Sequence, residues 1–494
     1  MKTEPADFKS PTGFKPLAWR QAALFVLTAA ICFHAAYTPA HSGPLALLIV
    51  GYVVCFVQLA RLKTTRQSFY TGLLTGFLCF APQLGFFWRI FGPAAIALWS
   101  IMALWLAVFV ALSHVALARL GLRRGVWMIP FLWTGLEYFR SELYYLKFSW
   151  LNVGYAFVGS SLVGVYGVGF CVSAFAGLSL FHRKIKLERV PFIYLVLFII
   201  IISILLALLL PAYSFSGPIP LPKPMIAGVQ LEFPSEGQIQ QALNKILTAQ
   251  TNIHLRGFRN CTNVDLIILS EYTMDEPPSE KLKQWCRANQ KFLIVGGKES
   301  APNNNFYNTA FVISTNGEIV FKQVKSVPIQ FFKDGLPAPE QKLWNSPWGK
   351  IGICICYDLS YTRVTDELVR QGAQMLIVPT MDVAEWGLHQ HELHARIAPV
   401  RAAEYGIPIF RVASSGISQG VNRFGIVQAS TSFPGDGEII FFGVNLKQAG
   451  SLPLDRYLAP VSVCITGMFL IWLLMDGRKK RVEPTEITAP QTPG

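Results

Sequence analysis

Apolar residues are arranged in two different ways along this chain. Before residue 212 they form long runs separated by short charged loops. A helix needs about 20 residues to cross the hydrocarbon core of a bilayer. Seven runs reach or approach that length: 21–39, 44–60, 69–87, 93–118, 126–139, 160–181 and 190–211. An eighth occupies 457–475. The run 126–139 is short and carries Glu137, which makes it the least typical span.

From Pro224 the runs shorten and are bounded by glycine, proline and polar residues. Residues 226–230, 266–269, 292–295, 309–313, 350–355 and 375–378 read as buried strands. Residues 237–257, with Ile239, Leu243, Ile246 and Leu247 on one face, and 389–405 have helical spacing. Strands alternating with helices predict α/β layers around a common core. The expected division is a tail over 1–20, a membrane domain of about seven helices over 21–211, an α/β domain over 222–446, a transmembrane helix over 457–475 and a tail over 476–494.

Composition agrees with a membrane protein. Hydrophobic residues make up 52% of the chain and charged residues only 15%, against about 25% charged in soluble domains. The basic residues are unevenly shared among the loops. One set holds Lys2, Lys9, Lys15, Arg20, Arg61, Lys63, Arg66, Arg119, Arg123, Arg124, Arg183, Lys184, Lys186, Arg189 and Arg478 to Arg481. The short loops of the other set hold Arg89, Arg140 and Lys147. The positive-inside rule then predicts both termini in the cytoplasm and the α/β domain outside it. Eight spans, an even number, return the chain to its starting side. The net charge of +14 therefore reflects topology and does not point to nucleic acid. Thr38-Pro39-Ala40 would suit signal cleavage, but the leader is long and another apolar run follows at once.

Candidate chemistry lies at strand ends. The run 350–355 ends at Cys356-Tyr357-Asp358, and the run 266–269 ends at Ser270-Glu271. Lys325 lies between them, before Ser326-Val327-Pro328. A thiolate is the attacking form of cysteine, and a free thiol is mostly protonated at neutral pH. A carboxylate that takes the proton and a lysine that stabilises the oxyanion would make Cys356 a nucleophile. Cys354, two residues away on the same strand face, is a competitor for the role. No CxxC pair occurs, which disfavours zinc and iron–sulfur sites. Cys261 and Cys286 would be able to pair in an oxidising compartment, and the sequence leaves that open. His389, His391 and His394 lack the spacing of a helical zinc pair and read as the polar face at a helix start. Trp386, Phe331 and Phe332 are either lipid-facing anchors or core.

Glutamate, lysine and cysteine in this order, on strand ends, resemble the nitrilase superfamily. The whole chain resembles the apolipoprotein N-acyltransferase family, which completes bacterial lipoprotein maturation. The membrane part is similar in Gly76-Phe77 through Trp88, and in Glu137, Arg140, Phe148-Ser149-Trp150-Leu151 and Gly154-Tyr155. The α/β part is similar in Tyr307-Asn308-Thr309-Ala310, Ile355-Cys356-Tyr357-Asp358, His394-Ala395-Arg396, Arg401-Ala402-Ala403-Glu404 and Gly416-Ile417-Ser418. The resemblance implies a multi-span α-helical membrane domain plus an external nitrilase-like α-β-β-α sandwich. It implies a catalytic Glu271, Lys325 and Cys356, and no cofactor or metal. It assigns substrate contacts to Tyr357 and Asp358, with Trp386, Phe331 and Phe332 against lipid. The implied partners are a membrane phospholipid as acyl donor and the N-terminus of a diacylated apolipoprotein as acceptor, for a monomer in the bacterial inner membrane.

Two departures from the family pattern leave assignments open. The lysine segment Phe321 to Gly335 aligns in two ways, giving Lys325 or its neighbour Lys322. The family's second loop glutamate falls at Lys333, so that Asp334 is the available substitute. A membrane-tethered amidase or lipid hydrolase and a non-catalytic lipoprotein-binding relative are the alternative readings. Eight spans where one would anchor the chain argue against the first, and intact Glu271 and Cys356 argue against the second.

Overall fold

The computed structural model describes residues 16–38, 44–158, 163–181, 224–249, 264–435 and 437–482. The expected run 190–211, the end of the expected helix 237–257, and Cys261 fall outside these residues.

The N-terminal part is helical. It contains α1 (Trp19–Ala36), α2 (Leu48–Leu59), α3 (Thr65–Gln83), α4 (Phe86–Phe91), α5 (Ala94–Tyr138) and α6 (Val165–Leu178). Thr64 caps α3 by accepting from the Gln67 amide at 3.1 Å. The expected spans 93–118 and 126–139 are two arms of α5, which meet at Gly121 with φ 73°. Only glycine takes that conformation without cost. Gly72 and Gly76 of α3 face Ala107 and Ala103 of α5, so closely that a Cβ on Gly76 would lie 2.9 Å from the Ala103 Cα. Small residues at such a crossing let two helix backbones approach in a lipid environment. Trp19–Ala36, Ala94–Leu143 and Asp455–Asp476 are long and apolar enough to cross a membrane, and Pro44–Leu59 and Val165–Phe181 are shorter apolar helices.

The C-terminal part is an α-β-β-α sandwich. Its strands are β1 (Met225–Val229), β2 (Leu266–Ile268), β3 (Phe292–Ala301), β4 (Asn305–Ile313), β5 (Ile319–Val324), β6 (Leu343–Ser346), β7 (Gly349–Ile353), β8 (Met375–Thr380), β9 (Ile409–Ala413), β10 (Gln419–Val421), β11 (Val427–Ser430) and β12 (Ile439–Gly443). One sheet has the order β12-β1-β2-β3-β4-β5 and the other β11-β10-β9-β8-β7-β6. In each sheet the central strands run parallel: β1 beside β2 beside β3, and β7 beside β8 beside β9. The sheets meet closely. Phe410 stacks on Phe442 across them at 5.8 Å, and a Cβ on Gly228 would lie 2.6 Å from Val412.

Helices cover both outer faces. α7 (Glu236–Ala249) and α8 (Glu280–Asn289) bury Leu243, Ile246, Leu282 and Trp285 against Ile267, Leu293 and Phe311 of the first sheet. Cys286 is buried in this layer. The second sheet carries α9 (Thr362–Arg370), α10 (Leu388–Ala395) and α11 (Ile397–Tyr405). The expected single helix 389–405 is thus two helices. Pro399 lacks the N–H that would bond the Ala395 carbonyl, and its ring excludes that carbonyl, so the helix breaks at Arg396. β9 was not expected from the pattern, because Arg411 interrupts its apolar run; the strand is nevertheless buried throughout. The last helix, α12 (Asp455–Val482), returns to the membrane part and packs on α5 and α6.

Candidate active site

The carboxyl ends of the parallel strands point to one place. β2 leads into Glu271, β7 into Cys356 and β8 into Met381 and Asp382. Such strand ends are where open α/β sheets place their ligands.

Glu271 and Lys325 meet in a region closed to solvent. The Lys325 Nζ lies 2.8 Å from Glu271 Oε1 and 2.7 Å from Asp334 Oδ2. The side chains of Lys325 and Glu271 are 0% and 1% exposed. Asn308 Nδ2 donates to Glu271 Oε1 at 2.6 Å and to Asp334 Oδ1 at 3.2 Å. The Met381 amide donates to Glu271 Oε2 at 2.7 Å. Asp334 also accepts from the Tyr272 hydroxyl at 2.7 Å and the Ile329 amide at 2.8 Å. Lys322 lies elsewhere, on the surface, paired with Glu299 at 2.6 Å. Asp334 is buried against Lys325, whereas the neighbouring Lys333 is exposed.

Cys356 opens a 3₁₀ turn, Cys356–Ser360, with φ +53°. That region of backbone space is uncommon for any residue but glycine. Its Sγ lies 3.7 Å from the Met381 carbonyl oxygen. Cys354 is fully buried and is not among the residues that line the cavity at Cys356.

The charges of the site act on one another. Burial pushes Glu271 above the ordinary carboxylate range; Lys325 opposes that shift and Asp334 adds to it. Burial pulls Lys325 down, but Asp334, Glu271 and Cys356 outweigh it and hold the ammonium well above its usual value. Burial and the nearby Glu271 hold the Cys356 thiol protonated, with Lys325 as the opposing influence. The resting arrangement is therefore a thiol, an ammonium and a carboxylate that binds protons more readily than usual. Such a set can take a proton from the sulfur when a carbonyl carbon arrives.

Asp358 has a different place from the substrate contact expected of it. It is 0% exposed. Its oxygens accept the amides of Ser326 (3.0 and 3.1 Å), Val327 (2.7 Å) and Ile355 (3.1 Å). One carboxylate thus joins the lysine loop to the cysteine turn. Burial raises it to about 6, against the pull of Lys325 and these amides.

Cys356 lines an apolar cavity built from both parts of the chain. The membrane part contributes Phe86, Phe87 and Phe91 near α4, Ile101 and Met102 of α5, and Phe148 and Trp150. The α/β part contributes Tyr357, Phe331, Phe332, Trp386, Asp382 and His394. Four of the five expected substrate residues, Tyr357, Phe331, Phe332 and Trp386, therefore line it. Phe91 contacts Phe331 and Phe332, each at 5.9 Å, and Phe332 contacts Trp386 at 6.2 Å. The Tyr357 hydroxyl donates to the Lys147 carbonyl at 3.1 Å.

The expected histidine face is dispersed. His389 bonds Gln83, His391 bonds the Gly387 carbonyl, and His394 lies 2.8 Å from Asp382 Oδ1. Among the described residues, no group of three or more His, Cys, Asp or Glu is placed to hold a metal ion.

Comparisons with known proteins agree with this two-part architecture. Residues 29–178 match the apolipoprotein N-acyltransferase N-terminal domain, and residues 246–442 match the carbon-nitrogen hydrolase domain. An apolipoprotein N-acyltransferase of Shewanella oneidensis is 25% identical over 486 residues, covering 85% of this chain and 90% of the relative. One of Geobacter metallireducens is 24% identical over 430 residues, covering 75% and 80%. Among solved structures, Saccharomyces cerevisiae Nit3 of the nitrilase superfamily aligns at 19% identity and TM-score 0.36, covering 47% of this chain and 93% of that one. With both domains matched in order and its relatives aligned over most of its length, this chain belongs to the apolipoprotein N-acyltransferase family.

Proposed function

We propose that this protein moves the sn-1 acyl chain of a membrane phospholipid, through a thioester on Cys356, to the α-amine of the diacylglyceryl-cysteine that begins an apolipoprotein. The observation that carries this reading is the position of Cys356 in an apolar cavity walled partly by membrane-part helices. Such a wall suits an acyl chain and disfavours water, the competing acceptor. Glu271 takes the proton of the thiol as sulfur attacks the ester carbonyl, then gives it to the departing lysophospholipid oxygen. Lys325 stabilises the oxyanion, a contribution worth roughly 10²–10³ in rate per donor. The amine of the apolipoprotein then displaces Cys356. The same reading places the chain in a bacterial inner membrane, with both termini cytoplasmic and the α/β domain outside.

The test separates the two half-reactions. The enzyme is incubated with phospholipid alone, then given a synthetic diacylated lipopeptide with a free α-amine. Lysophospholipid should appear in at most one equivalent before the lipopeptide and turn over steadily after it. Mass spectrometry should find the acyl adduct on Cys356, absent in Cys356→Ala and retained in Cys354→Ala. Steady release of free fatty acid, unaffected by the lipopeptide, would make the protein a lipid hydrolase instead.

A further inference from the structure

A second titratable group faces the cavity, and the chemistry above leaves it without a task. His394, on α10, is 2% exposed and lines the same cavity as Cys356. Its ring stacks on Trp150, with centroids 4.7 Å apart and planes within 11°. Its Nδ1 lies 2.8 Å from Asp382 Oδ1. Asp382 is held in turn by Gln390 Nε2 at 3.1 Å and by the guanidinium of Arg411. Asp382 directly follows Met381, whose carbonyl lies against the Cys356 sulfur. The other ring nitrogen, Nε2, is buried without a hydrogen-bond partner among the described residues. The Arg411 Nη2 also lies 3.1 Å from Nδ1, but it already donates to Asp382, and the contact of Nδ1 to Asp382 is the shorter. An ionised carboxylate accepts only, so that contact puts the hydrogen on Nδ1 and leaves Nε2 as a bare lone pair. The groups around the ring are Asp382, Arg411 and His391, and Cys356 lines the same cavity. Burial and Arg411 favour the neutral ring, against Asp382. A neutral, oriented imidazole with an unused acceptor is costly to bury unless something binds to it.

We propose that His394 Nε2 takes the proton that the acceptor amine must lose before it can attack the thioester, with Asp382 as the positioning residue. This rests on the acyl-transfer reading. An α-amine has a pKa of about 8, so the lipidated cysteine arrives as an ammonium and cannot act as a nucleophile. In the proposed sequence His394 accepts one proton and frees the nitrogen lone pair. The nitrogen forms its bond to the thioester carbonyl carbon, and the C–S bond breaks as the tetrahedral intermediate collapses. The second amine proton passes through Glu271 to the departing sulfur, which regenerates the thiol. His394 returns its proton to solvent. The products are an amide, the free enzyme and one proton.

The experiment compares wild type with His394→Gln, which can still bond Asp382, and His394→Phe, which can still stack on Trp150. Formation of the Cys356 adduct from phospholipid is followed by mass spectrometry. Its decay on adding the diacylated lipopeptide is then followed across pH. Aminolysis should slow by roughly 10²-fold, the usual worth of a general base, and by far more than adduct formation. In both variants the aminolysis rate should rise about tenfold per pH unit below the amine pKa, while the wild type stays level through neutral pH. Equal slowing of both steps, or a wild-type pH profile in the variants, overturns the role of His394. If wild type forms no adduct, the acyl-transfer reading falls first and this inference falls with it.

Discussion

Lys325 has two carboxylates within 2.8 Å and no exposed surface. Asp334 does more than neutralise it, because its charge also raises Glu271. A base whose pKa is raised loses its ionised form at a higher pH, so adduct formation should fall off on the acid side above the ordinary glutamate range. In Asp334→Asn the repelling charge is gone and Lys325 is left to Glu271 alone. Both changes favour ionised Glu271, so the acid limb of the adduct-formation rate should move to lower pH; a move to higher pH would contradict this account. Much of this site was legible in the sequence. Glu271 and Cys356 follow apolar runs, and the carboxyl ends of buried parallel strands are natural sites. Which of Lys325 and Lys322 lies buried beside Glu271 was not legible from the sequence, because it depends on where β5 ends. The strand stops at Val324 with Lys322 facing out, and Lys325 turns inward just past it. The cluster of Asp382, His394 and Arg411 was not legible either, since its members come from three separate elements.

At the scale of elements, the site is kept by close backbone contacts as well as by hydrogen bonds. Gly296 of β3 lies against the segment that carries Glu271. A Cβ there would meet the Ser270 carbonyl oxygen and the Glu271 Cα, both at 2.6 Å. These are backbone atoms, which cannot rotate away. Gly296→Ala should therefore cost about 1–3 kcal/mol in stability, as overpacking usually does, and should slow adduct formation by displacing Glu271. Thermal unfolding and the lysophospholipid burst measure the two effects; an unchanged burst would show that the contact does not position the glutamate. The strands carrying Glu271 and Cys356 were visible as apolar runs. β9 was hidden by Arg411, whose burial is possible only because Asp382 neutralises it. The short β10 and β11 have no period long enough to read.

At the scale of the whole molecule, a polar seam joins the two parts. Trp150 Nε1 donates to Ser360 Oγ at 2.9 Å, and the Thr362 amide donates to Glu142 at 3.1 Å. Arg456, at the start of α12, reaches Asp366 at 2.7 Å and Glu404 at 3.1 Å. Burial pushes Glu404 up, but Arg456 and Arg401 outweigh it and bring it down to about 2. A carboxyl held low stays ionised in the folded chain while the unfolded chain takes up its proton. Its stabilisation is present above the ordinary glutamate value and is lost as pH falls toward about 2. Arg456→Ala leaves Glu404 with Arg401 alone and takes from Asp366 its near guanidinium, and breaking buried pairs of this kind typically costs about 3–5 kcal/mol. The variant should unfold at a lower temperature at neutral pH, with the gap to wild type narrowing in acid. A gap that widens in acid would mean that the pair does not hold the parts together. The division into a helical and an α/β part was plain from composition, but the seam was not. It is made of isolated charged residues that look, one at a time, like ordinary surface.

The mixed origin of the cavity separates two kinds of inheritance. The atoms proposed to react belong to the sandwich, whereas much of the surface that would touch a hydrocarbon tail belongs to α4, α5 and the Phe148–Trp150 segment. In the proposed reaction, changes at Leu98, Ile101 or Met102 would alter the length and shape of the acyl chain that fits while leaving the surroundings of Glu271, Lys325 and Cys356 intact. Taste and chemistry can therefore drift independently in descendants of this protein. A lineage facing new membrane lipids could adapt by altering its helices while the strand ends that carry Glu271 and Cys356 stayed as they are.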